Sequence, residues 1–494
     1  MAVALLIVLL LPGQDDPAQL IEGLRAPKVE DRIQAEQNLK KLGKKAVPAL
    51  ELARKDSDPE VSQRAERLLK IIPVLERLTP NLMQEIPGIE DRLALGMPHA
   101  WTEALVMAAD RDEKGRRKRP KLQRADLDAL VPQAFQAMKE EDLTTLCGIV
   151  EEEELRSAIP GLLNLIRQGK GFRLVQDALE ILDAQEAVPD LVALLRSKEE
   201  GVRWNALWGL ILLDAAATAP ELRPLLKDEI EAIRRDAAFG LGRFGDKASL
   251  ADLRAALQDE DVHLRRVAAS ALGSLQSKEA VPDLLKLLKA EDPMVRGAAA
   301  SALADLRALE TRPEILKLTR DQDKDVRVDA VTALADLGVT DSVDDLRALL
   351  NDEQVRPAAA RALLRLGSRD GVPALLEAAE KGDVFSLVYL NALRRPEVWS
   401  GLQTKMLRRD LRGKPKDAAA AWAREAGMAL DAIRGDERLT LRSYRGRTSL
   451  WHALWELSTR EDNGLVFETD RIRNLPHKEA LKFWKDWWAS EQKK

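Results

Sequence analysis

The amino-acid sequence predicts an all-α fold of the α-solenoid type, in which short helix pairs stack in series. Three observations predict it: the composition, a repeat with a step of 31 residues, and two helical stripes in each repeat. Of 494 residues, 45% are hydrophobic, 32% are charged and only 4% are aromatic, which is typical of helices around an aliphatic core. This composition argues against an all-β fold.

The repeat is visible as an apolar segment of eight residues that recurs along the chain. Six such segments begin 31 residues apart, at Val188, Ala219, Leu250, Val281, Arg312 and Val343. Arginines follow at the same step, at Arg203, Arg234, Arg265, Arg296 and Arg327, and after 29 residues at Arg356. The segment IPGLLNLI from Ile159, followed by Arg173, is an upstream unit, and residues 46–69 form a divergent outlier. Self-similarity at a fixed period predicts a repeat architecture.

Each repeat contains two stretches with the period of an amphipathic helix. In the repeat from Val281 to Leu306, a proline in the first turn begins helix A, and a break at Glu291-Asp292-Pro293 separates it from helix B. Two short helices cannot bury their apolar stripes alone, so successive pairs must stack on one another. The sequence therefore predicts seven antiparallel pairs between Ala158 and Glu380.

The register of helix B predicts which residues form the core. Core positions lie three, seven and ten residues after the repeated arginine. The seventh position gives five residues that we expect to be buried: Leu210, Leu241, Leu272, Leu303 and Leu334.

These residues resemble the HEAT-like repeats of the short bacterial type, the kind also found in phycobilisome lyase subunits. The resemblance covers about half of the chain. It implies a right-handed superhelix of helix pairs, and it identifies a scaffold without identifying a reaction.

The repeated arginines each follow a carboxylate by four residues, which is about one helical turn. The carboxylates are Glu199, Asp261, Asp292, Asp323 and Asp352, whereas Arg234 has Ile230 there and Asp228 as an alternative partner. The resemblance implies hydrogen bonding between repeats for this pair. We therefore predict structural arginines and not a basic binding ladder.

The first residues are typical of an export signal. Ala2–Leu11 is an unbroken apolar run of ten residues followed by Pro12-Gly13, too short to span a bilayer. We expect a signal peptide over residues 1–14, a mature chain that starts between Gly13 and Pro17, and an exported protein, whether periplasmic, envelope-associated or extracellular. The alternative is a buried first helix in a cytoplasmic protein.

The remaining segments complete the predicted organisation: HEAT-like helices over 15–74, an irregular helical insert over 75–156, the array over 157–400 and a tryptophan-rich basic cap over 401–494. Within the insert we expect Arg116–Lys121 to be a solvated loop, a helix from near Ala125, and Glu151–Glu154 to begin a helix.

The carboxyl-terminal segment has seven of the ten tryptophans from Trp399 onward, and residues 401–494 hold 20 Lys plus Arg against 14 Asp plus Glu, a charge of +6. Its pattern predicts helices at Ala418–Ile433 and Ser449–Ser458 and strands at Leu439–Tyr444 and Leu465–Glu468, which would make a small α+β cap. The aromatic tail around Trp484 would cover the last apolar face of the array, with a membrane-interface helix as the alternative.

Residues for catalysis or for cofactor and metal binding are missing from the sequence patterns. There is one cysteine, Cys147, and none of the four histidines is followed by a glutamate, as an iron-binding hydroxylase built on HEAT-like repeats would need. No phosphate-binding loop or Gly-x-Ser-x-Gly nucleophile motif occurs, and the net charge of -5 gives no overall attraction to nucleic acid. We therefore predict a protein that is not an enzyme and has no cofactor.

A stripe at positions one, five and nine after the repeated arginine should face away from the core. Its aromatic and arginine residues concentrate at one end, in the set Trp204, Trp208, Arg235, Phe239, Arg243 and Arg266. We predict that they form a concave patch that binds a protein or peptide. The alternatives are that Trp204 and Trp208 pack against a neighbouring repeat, that the protein is a lyase-like enzyme or ligand handler, or that it is an envelope protein that binds glycan or lipid through its carboxyl-terminal region.

Overall fold

The computed structural model describes residues 16–96, 99–112, 117–338, 342–382, 386, 389–390, 429–430, 463–467 and 471–492. The chain divides into two compact units, residues 1–213 and residues 214–494. The predicted signal peptide over residues 1–14 lies outside the described residues.

Unit 1 consists of helices that pack in series. In chain order they are α1 (Pro17–Gly23), α2 (Val29–Leu42), α3 (Val47–Ala53), α4 (Pro59–Leu75), α5 (Pro80–Glu85), α6 (Ile89–Ala94), α7 (Ala100–Ala109), α8 (Arg124–Ala137), α9 (Leu143–Glu153), α10 (Ile159–Arg167), α11 (Phe172–Ile181), α12 (Val188–Leu194) and α13 (Glu200–Leu212). Helices α9, α11 and α13 lie side by side as successive B helices.

Unit 2 continues the same pattern. Its helices are α14 (Ala219–Leu222), α15 (Glu231–Phe244), α16 (Leu250–Ala256), α17 (Val262–Ser274), α18 (Val281–Leu287), α19 (Pro293–Asp305), α20 (Arg312–Leu318), α21 (Lys324–Asp336), α22 (Val343–Ala348), α23 (Arg356–Arg365) and α24 (Val372–Glu380). The seven predicted helix pairs are confirmed, two in unit 1 from α10 to α13 and five in unit 2 from α14 to α23. Helix α24 follows them.

The core follows the predicted register. Leu210, Leu241, Leu272, Leu303 and Leu334 are all completely buried. Small residues on the B helices allow close packing, since a side chain on Gly242 would collide with Ala271 of the next B helix. The buried core of both units is therefore mostly aliphatic.

Each B helix ends in a residue with a left-handed backbone, a feature that the sequence pattern did not reveal. The positive φ angles recur every 31 residues, at Asp183, Asp214, Gly245, Gln276, Arg307 and Gly338. This conformation ends helices because it turns the chain back toward the next helix A, and glycine adopts it without strain. At Gln276 the side-chain amide also donates to the carbonyl oxygen of Asp305 at 2.9 Å, which ties one repeat to the next.

The repeated arginines hold the turn between helices A and B. Nη1 of Arg296 donates to the carbonyl oxygens of Ala290 and Glu291, both at 2.8 Å, and Arg265 and Arg327 make the same pair of bonds in their own repeats. Arg32 of α2 also makes them, which extends the pattern to the amino-terminal helices. The structural role of the arginines is thus confirmed.

Their carboxylate partners are not the ones that the spacing suggested. Asp261, Asp292 and Asp323 accept hydrogen bonds from backbone N–H groups in the first turn of their own B helices. Arg234, Arg296 and Arg327 instead pair with carboxylates of the following repeat, as in the two 2.8 Å bonds from Arg296 to Asp321. An aspartate four residues before the arginine also lies directly before the first residue of helix B, so it can either cap the helix or pair with the arginine. It caps the helix, because the first turn leaves backbone N–H groups without partners.

Two other arginines also differ from the expectation. Arg234 donates to the carbonyl oxygen of Asp228 at 3.0 Å, while the carboxylate that pairs with it is Asp259 of the next repeat, at 3.2 Å. Arg173 is exposed, and the residue 31 positions before Arg203 is Phe172. Arg173 therefore does not belong to the arginine series.

The segment 75–156 is mostly helical, and residues 117–121 of its basic run make ion pairs and hydrogen bonds with the rest of the protein. Arg117 pairs with Glu153, Lys121 pairs with Glu85 at 3.1 Å, and Arg119 donates to the carbonyl oxygen of Met107 at 2.5 Å. The expected solvated loop is confirmed for residues 117–121, which connect α7 to α8 without helical structure and expose Lys118, Pro120 and Lys121. Ion pairs with neighbouring helices hold this loop in place. The predicted helix start near Ala125 is confirmed by α8, which begins at Arg124.

The run Glu151–Glu154 ends a helix and does not begin one. Helix α9 finishes at Glu153, and Glu154 has a positive φ of 51°. The unfavourable position of Glu153 at the negative end of the helix dipole is compensated by Arg111, at 2.5 Å, and by Arg117.

The carboxyl-terminal segment contains a small sheet and a final helix. Strands β1 (Ala429–Leu430), β2 (Asn463–Phe467) and β3 (Arg471–Pro476) pair in the order β1-β3-β2, with β1 parallel and β2 antiparallel to β3. The prediction of a strand at Leu465–Glu468 is confirmed over residues 465–467. The helix predicted at Ala418–Ile433 is wrong at residues 429–430, because their backbone pairs with β3. The other elements predicted before residue 463 lie outside the described residues.

The final helix, α25 (His477–Glu491), packs on α24. Trp484 is completely buried among Leu375, Leu376 and Ala379. Arg369 pairs with Glu491 at 2.9 Å, and Lys485 pairs with Glu380. The aromatic tail thus covers the apolar side of α24.

Candidate binding face

The stripe at positions one, five and nine after each repeated arginine is called here the B-helix face. In unit 2 its fifth positions are exposed on four successive helices, at Phe239, Ser270, Ser301 and Thr332. The predicted orientation away from the core is therefore found on these helices. In unit 1 the stripe is more enclosed, and Leu212 at its ninth position is buried.

The two predicted tryptophans lie in unit 1 on α13, and both are half-buried. The ring of Trp204 stacks on that of Phe172 in α11, with centroids 4.0 Å apart and an interplanar angle of 10°. This contact agrees with the alternative interpretation for Trp204, in which the tryptophan packs against the neighbouring repeat. Trp208 lies one turn further along the same helix.

The other four predicted residues lie in unit 2 on α15 and α17. Phe239 is 43% exposed, which is unusual for a large aromatic side chain, and Arg266 is also exposed. Nε of Arg235 lies 3.2 Å from Asp261, and Nε of Arg243 lies 3.8 Å from Asp214. The structure thus places one accessible aromatic ring in a row with arginines on two adjacent B helices.

Further along unit 2 the same face becomes acidic. Asp305 and Asp336 occupy the ninth position on α19 and α21, and both are exposed. Asp329, at the second position on α21, fills the space left by Gly297 on α19, where an added side chain would collide with the carboxylate. Asp329 and Asp336 were not predicted from the sequence, although a step of 31 residues from Asp305 gives Asp336.

Burial raises the pKa of the Asp305 carboxyl, and the neighbouring Asp336 raises it further. Burial also raises the pKa of Asp329, with added repulsion from Asp325 and Asp323. Neither Asp305 nor Asp329 has an ion pair within the part of the chain that the structure describes, whereas Arg223 lowers the pKa of Asp246 and Arg254 lowers that of Asp283. A cation that binds beside them would relieve this repulsion.

The described residues hold no group of three or more His, Cys, Asp and Glu side chains that could bind a metal ion. His99 lies between two carboxylates, with Nδ1 2.8 Å from Asp142 and Nε2 2.9 Å from Glu141. Burial raises the pKa of Cys147 to about 12, so its thiolate is not available near neutral pH. None of these groups lies on the B-helix face.

One open cavity of about 330 Å³ lies between α24 and α25, lined by Arg369, Asp370, Pro373, Trp488, Glu491 and Gln492. Its charged groups already pair within the protein, Arg369 with Glu491 and Asp370 with Arg347. Across the described part of the chain, no helix is both long and apolar enough to cross a membrane.

Comparison with protein families identifies the repeats. A family model described as HEAT repeats matches residues 172–241, 188–271, 219–304 and 312–389. A search of curated proteins found no match.

Solved structures with similar arrangements include the complex of CpcE and CpcF of phycocyanin lyase from Nostoc sp. PCC7120. It is 25% identical, with a TM-score of 0.33, over 42% of this chain and 86% of that chain. An engineered protein is 20% identical, with a TM-score of 0.35, over 71% of this chain and 99% of that one. The karyopherin Kap121p bound to Ste12p is 11% identical, with a TM-score of 0.42, over 95% of this chain and 55% of that one.

The helix pairs, the buried leucine register and the family match all concern the same residues. Residues 172–304 and 312–389 therefore match HEAT repeats, and the described helix pairs have an α-solenoid fold.

Proposed function

We propose that this protein is a non-catalytic scaffold that binds a protein or peptide partner on its B-helix face. The observation that carries the proposal is the exposed ring of Phe239 beside Arg235 and Arg266. Exposed large aromatic residues next to arginines are typical of binding hot spots, where desolvation of the ring and of the guanidinium gives most of the affinity.

The internal arginines support this assignment by contrast. Arg234 and Arg296 are at most 9% exposed and bond to backbone carbonyls and carboxylates of the array. Their charges are therefore already paired with groups inside the protein. Arg266, in contrast, directs its side chain to solvent from a rigid helix, which keeps the entropy cost of binding low.

The test is affinity capture with the wild-type protein and two variants, followed by measurement of the dissociation constant for each captured partner. Phe239→Ala should weaken binding about tenfold or more, as expected for a hot-spot residue. Met294→Ala is the matched control, because Met294 is similarly exposed at 46% but lies outside the B-helix face. Equal affinities of the Phe239→Ala variant and the wild type for every partner would reject the proposal.

Trp208→Ala and Arg243→Ala test the remaining predicted residues in the same assay. We expect both to weaken binding without unfolding the array, which circular dichroism would verify. If both variants bind with unchanged affinity, this site assignment is wrong.

We also propose that the protein is exported after removal of residues 1–14. The support is the apolar run Ala2–Leu11 in the sequence. Amino-terminal sequencing of the native protein should find a start between Gly13 and Pro17, and recovery of intact Met1 in a cytosolic fraction would reject export.

A further inference from the structure

The B-helix face of unit 2 changes sign along its length. At one end α15 and α17 present Arg235, Phe239 and Arg266, and at the other end α19 and α21 present Asp305 and Asp336, with Asp329 beside them. Between the two ends the face carries small, exposed, uncharged residues, namely Ser270, Ser274 and Ser301. The face therefore has a basic aromatic end, a neutral middle and an acidic end.

We propose that this face recognises an extended peptide segment of opposite polarity, with acidic and apolar residues at one point and a basic residue further along. The inference rests on the proposed function and specifies the partner. Acidic side chains of the segment would pair with Arg266 and Arg235, and an apolar side chain would cover the ring of Phe239. A lysine or arginine of the segment would pair with Asp305 and its neighbours.

The geometry sets the spacing within the segment. Neighbouring B helices lie about 10 Å apart, and Asp305 lies one helix away from Arg266, two helices away from Arg235 and about 12 Å further along its own helix, so the separations are about 15–25 Å. An extended chain advances about 3.3 Å per residue, so the acidic and basic groups should be about five to seven residues apart. Small side chains in the middle leave room for the backbone of the segment.

The carboxylates at the acidic end favour a cationic group for a physical reason. Asp305 and Asp329 repel neighbouring aspartates and are partly desolvated. Asp305 has no ion pair with any residue that the structure describes, whereas Asp336 already pairs with Arg365. A lysine from a partner would therefore gain most from Asp305, because that carboxylate has no competing internal cation.

The experiment begins with selection of random 16-residue peptides displayed on phage against the purified full-length protein at low ionic strength. Enriched peptides should combine an aromatic residue and Asp or Glu with a Lys or Arg about five to seven residues away. The leading peptide, synthesised with a fluorescent label, then serves as the probe in anisotropy titrations. Enrichment of peptides without this spacing, or no enrichment, would overturn the inference.

Charge variants test the register. Arg266→Glu should weaken binding of the probe about tenfold, and Asp305→Asn should weaken it less. Lys289→Glu makes the same charge change as Arg266→Glu at an exposed site in the turn after α18, and it should leave the affinity unchanged. Replacing the lysine of the peptide with glutamine should abolish the effect of Asp305→Asn. Independent effects of the two replacements would overturn the inference.

The two proposals fail in different ways. If Phe239→Ala weakens binding of the probe, but the effect of Asp305→Asn does not depend on the peptide lysine, the face binds partners without the inferred polarity. If Phe239→Ala also leaves the affinity unchanged, the binding face itself is wrongly assigned.

Discussion

Replacing Arg296 tests how the repeats hold one another. Its side chain is only 8% exposed and makes four hydrogen bonds, two to the carbonyls of Ala290 and Glu291 and two to Asp321 of the next repeat, all at 2.8 Å. Arg296→Met keeps most of the apolar stem but removes every bond. It also leaves the nearly buried Asp321 carboxylate without its guanidinium partner.

Arg265 is a natural control within the same chain. It makes the same carbonyl bonds, at 2.7 and 3.2 Å, but has Ala290 where the next repeat would supply the carboxylate. We expect Arg265→Met to cost about 1.5–3 kcal/mol, typical of charged hydrogen bonds. Arg296→Met should cost about 3–5 kcal/mol, because it also leaves an unpaired buried charge.

The assay is urea unfolding followed by circular dichroism, combined with hydrogen exchange on α19 and α21. Adding Asp321→Asn to Arg296→Met should restore part of the loss, because the substitution removes the unpaired charge. Equal destabilisation by Arg265→Met and Arg296→Met would refute the reasoning, since the bond between repeats would then contribute nothing.

The ion pair between Arg296 and Asp321 also makes the stability of the protein depend on pH. Burial opposes ionisation of Asp321, but the bonds from Arg296 and from the backbone N–H of Asp323 outweigh it and hold the pKa of Asp321 below its ordinary value of 3.8. A carboxyl whose pKa is lowered by folding stabilises the protein above its ordinary pKa, and this stability is lost as the pH falls through the lowered value. Arg296→Met should reduce that acid-dependent part of the unfolding free energy.

Three further substitutions test the core, the helix ends and the acidic end of the face. Leu272→Ala should cost about 2–5 kcal/mol through the cavity it leaves, whereas Leu309→Ala, at a 55% exposed site, should change stability by less than about 0.5 kcal/mol; similar melting curves for the two would contradict the register. Arg307→Gly should stabilise the array by about 0.5–1 kcal/mol because the φ of Arg307 is 52°, and an unchanged melting temperature would argue against strain there. Burial and two neighbouring aspartates raise the pKa of Asp329, so folding disfavours its charged form and stability falls as the pH rises through the raised pKa. Asp329→Asn should therefore raise the melting temperature at pH 7 and have little effect near pH 3, and a gain of the same size at both pH values would contradict this.

The sequence alone determined the repeat, the helix pairs and the buried leucines. These features depend on local periodicity, because a stripe of apolar residues at helical spacing must be buried whichever neighbour covers it. The same periodicity placed Phe239 and Arg266 on the outward stripe.

The tertiary structure decided which partners meet. Asp321 lies 25 residues from Arg296, and α25 packs on α24 from about 100 residues further along the chain. Phe172 reaches Trp204 only because α11 and α13 lie side by side. The spacing of Asp292 and Arg296 suited both a helix cap and an ion pair, and nothing local distinguished them. Such choices depend on which donors and charges the neighbouring repeat brings close, and a periodic pattern within one repeat does not contain that information.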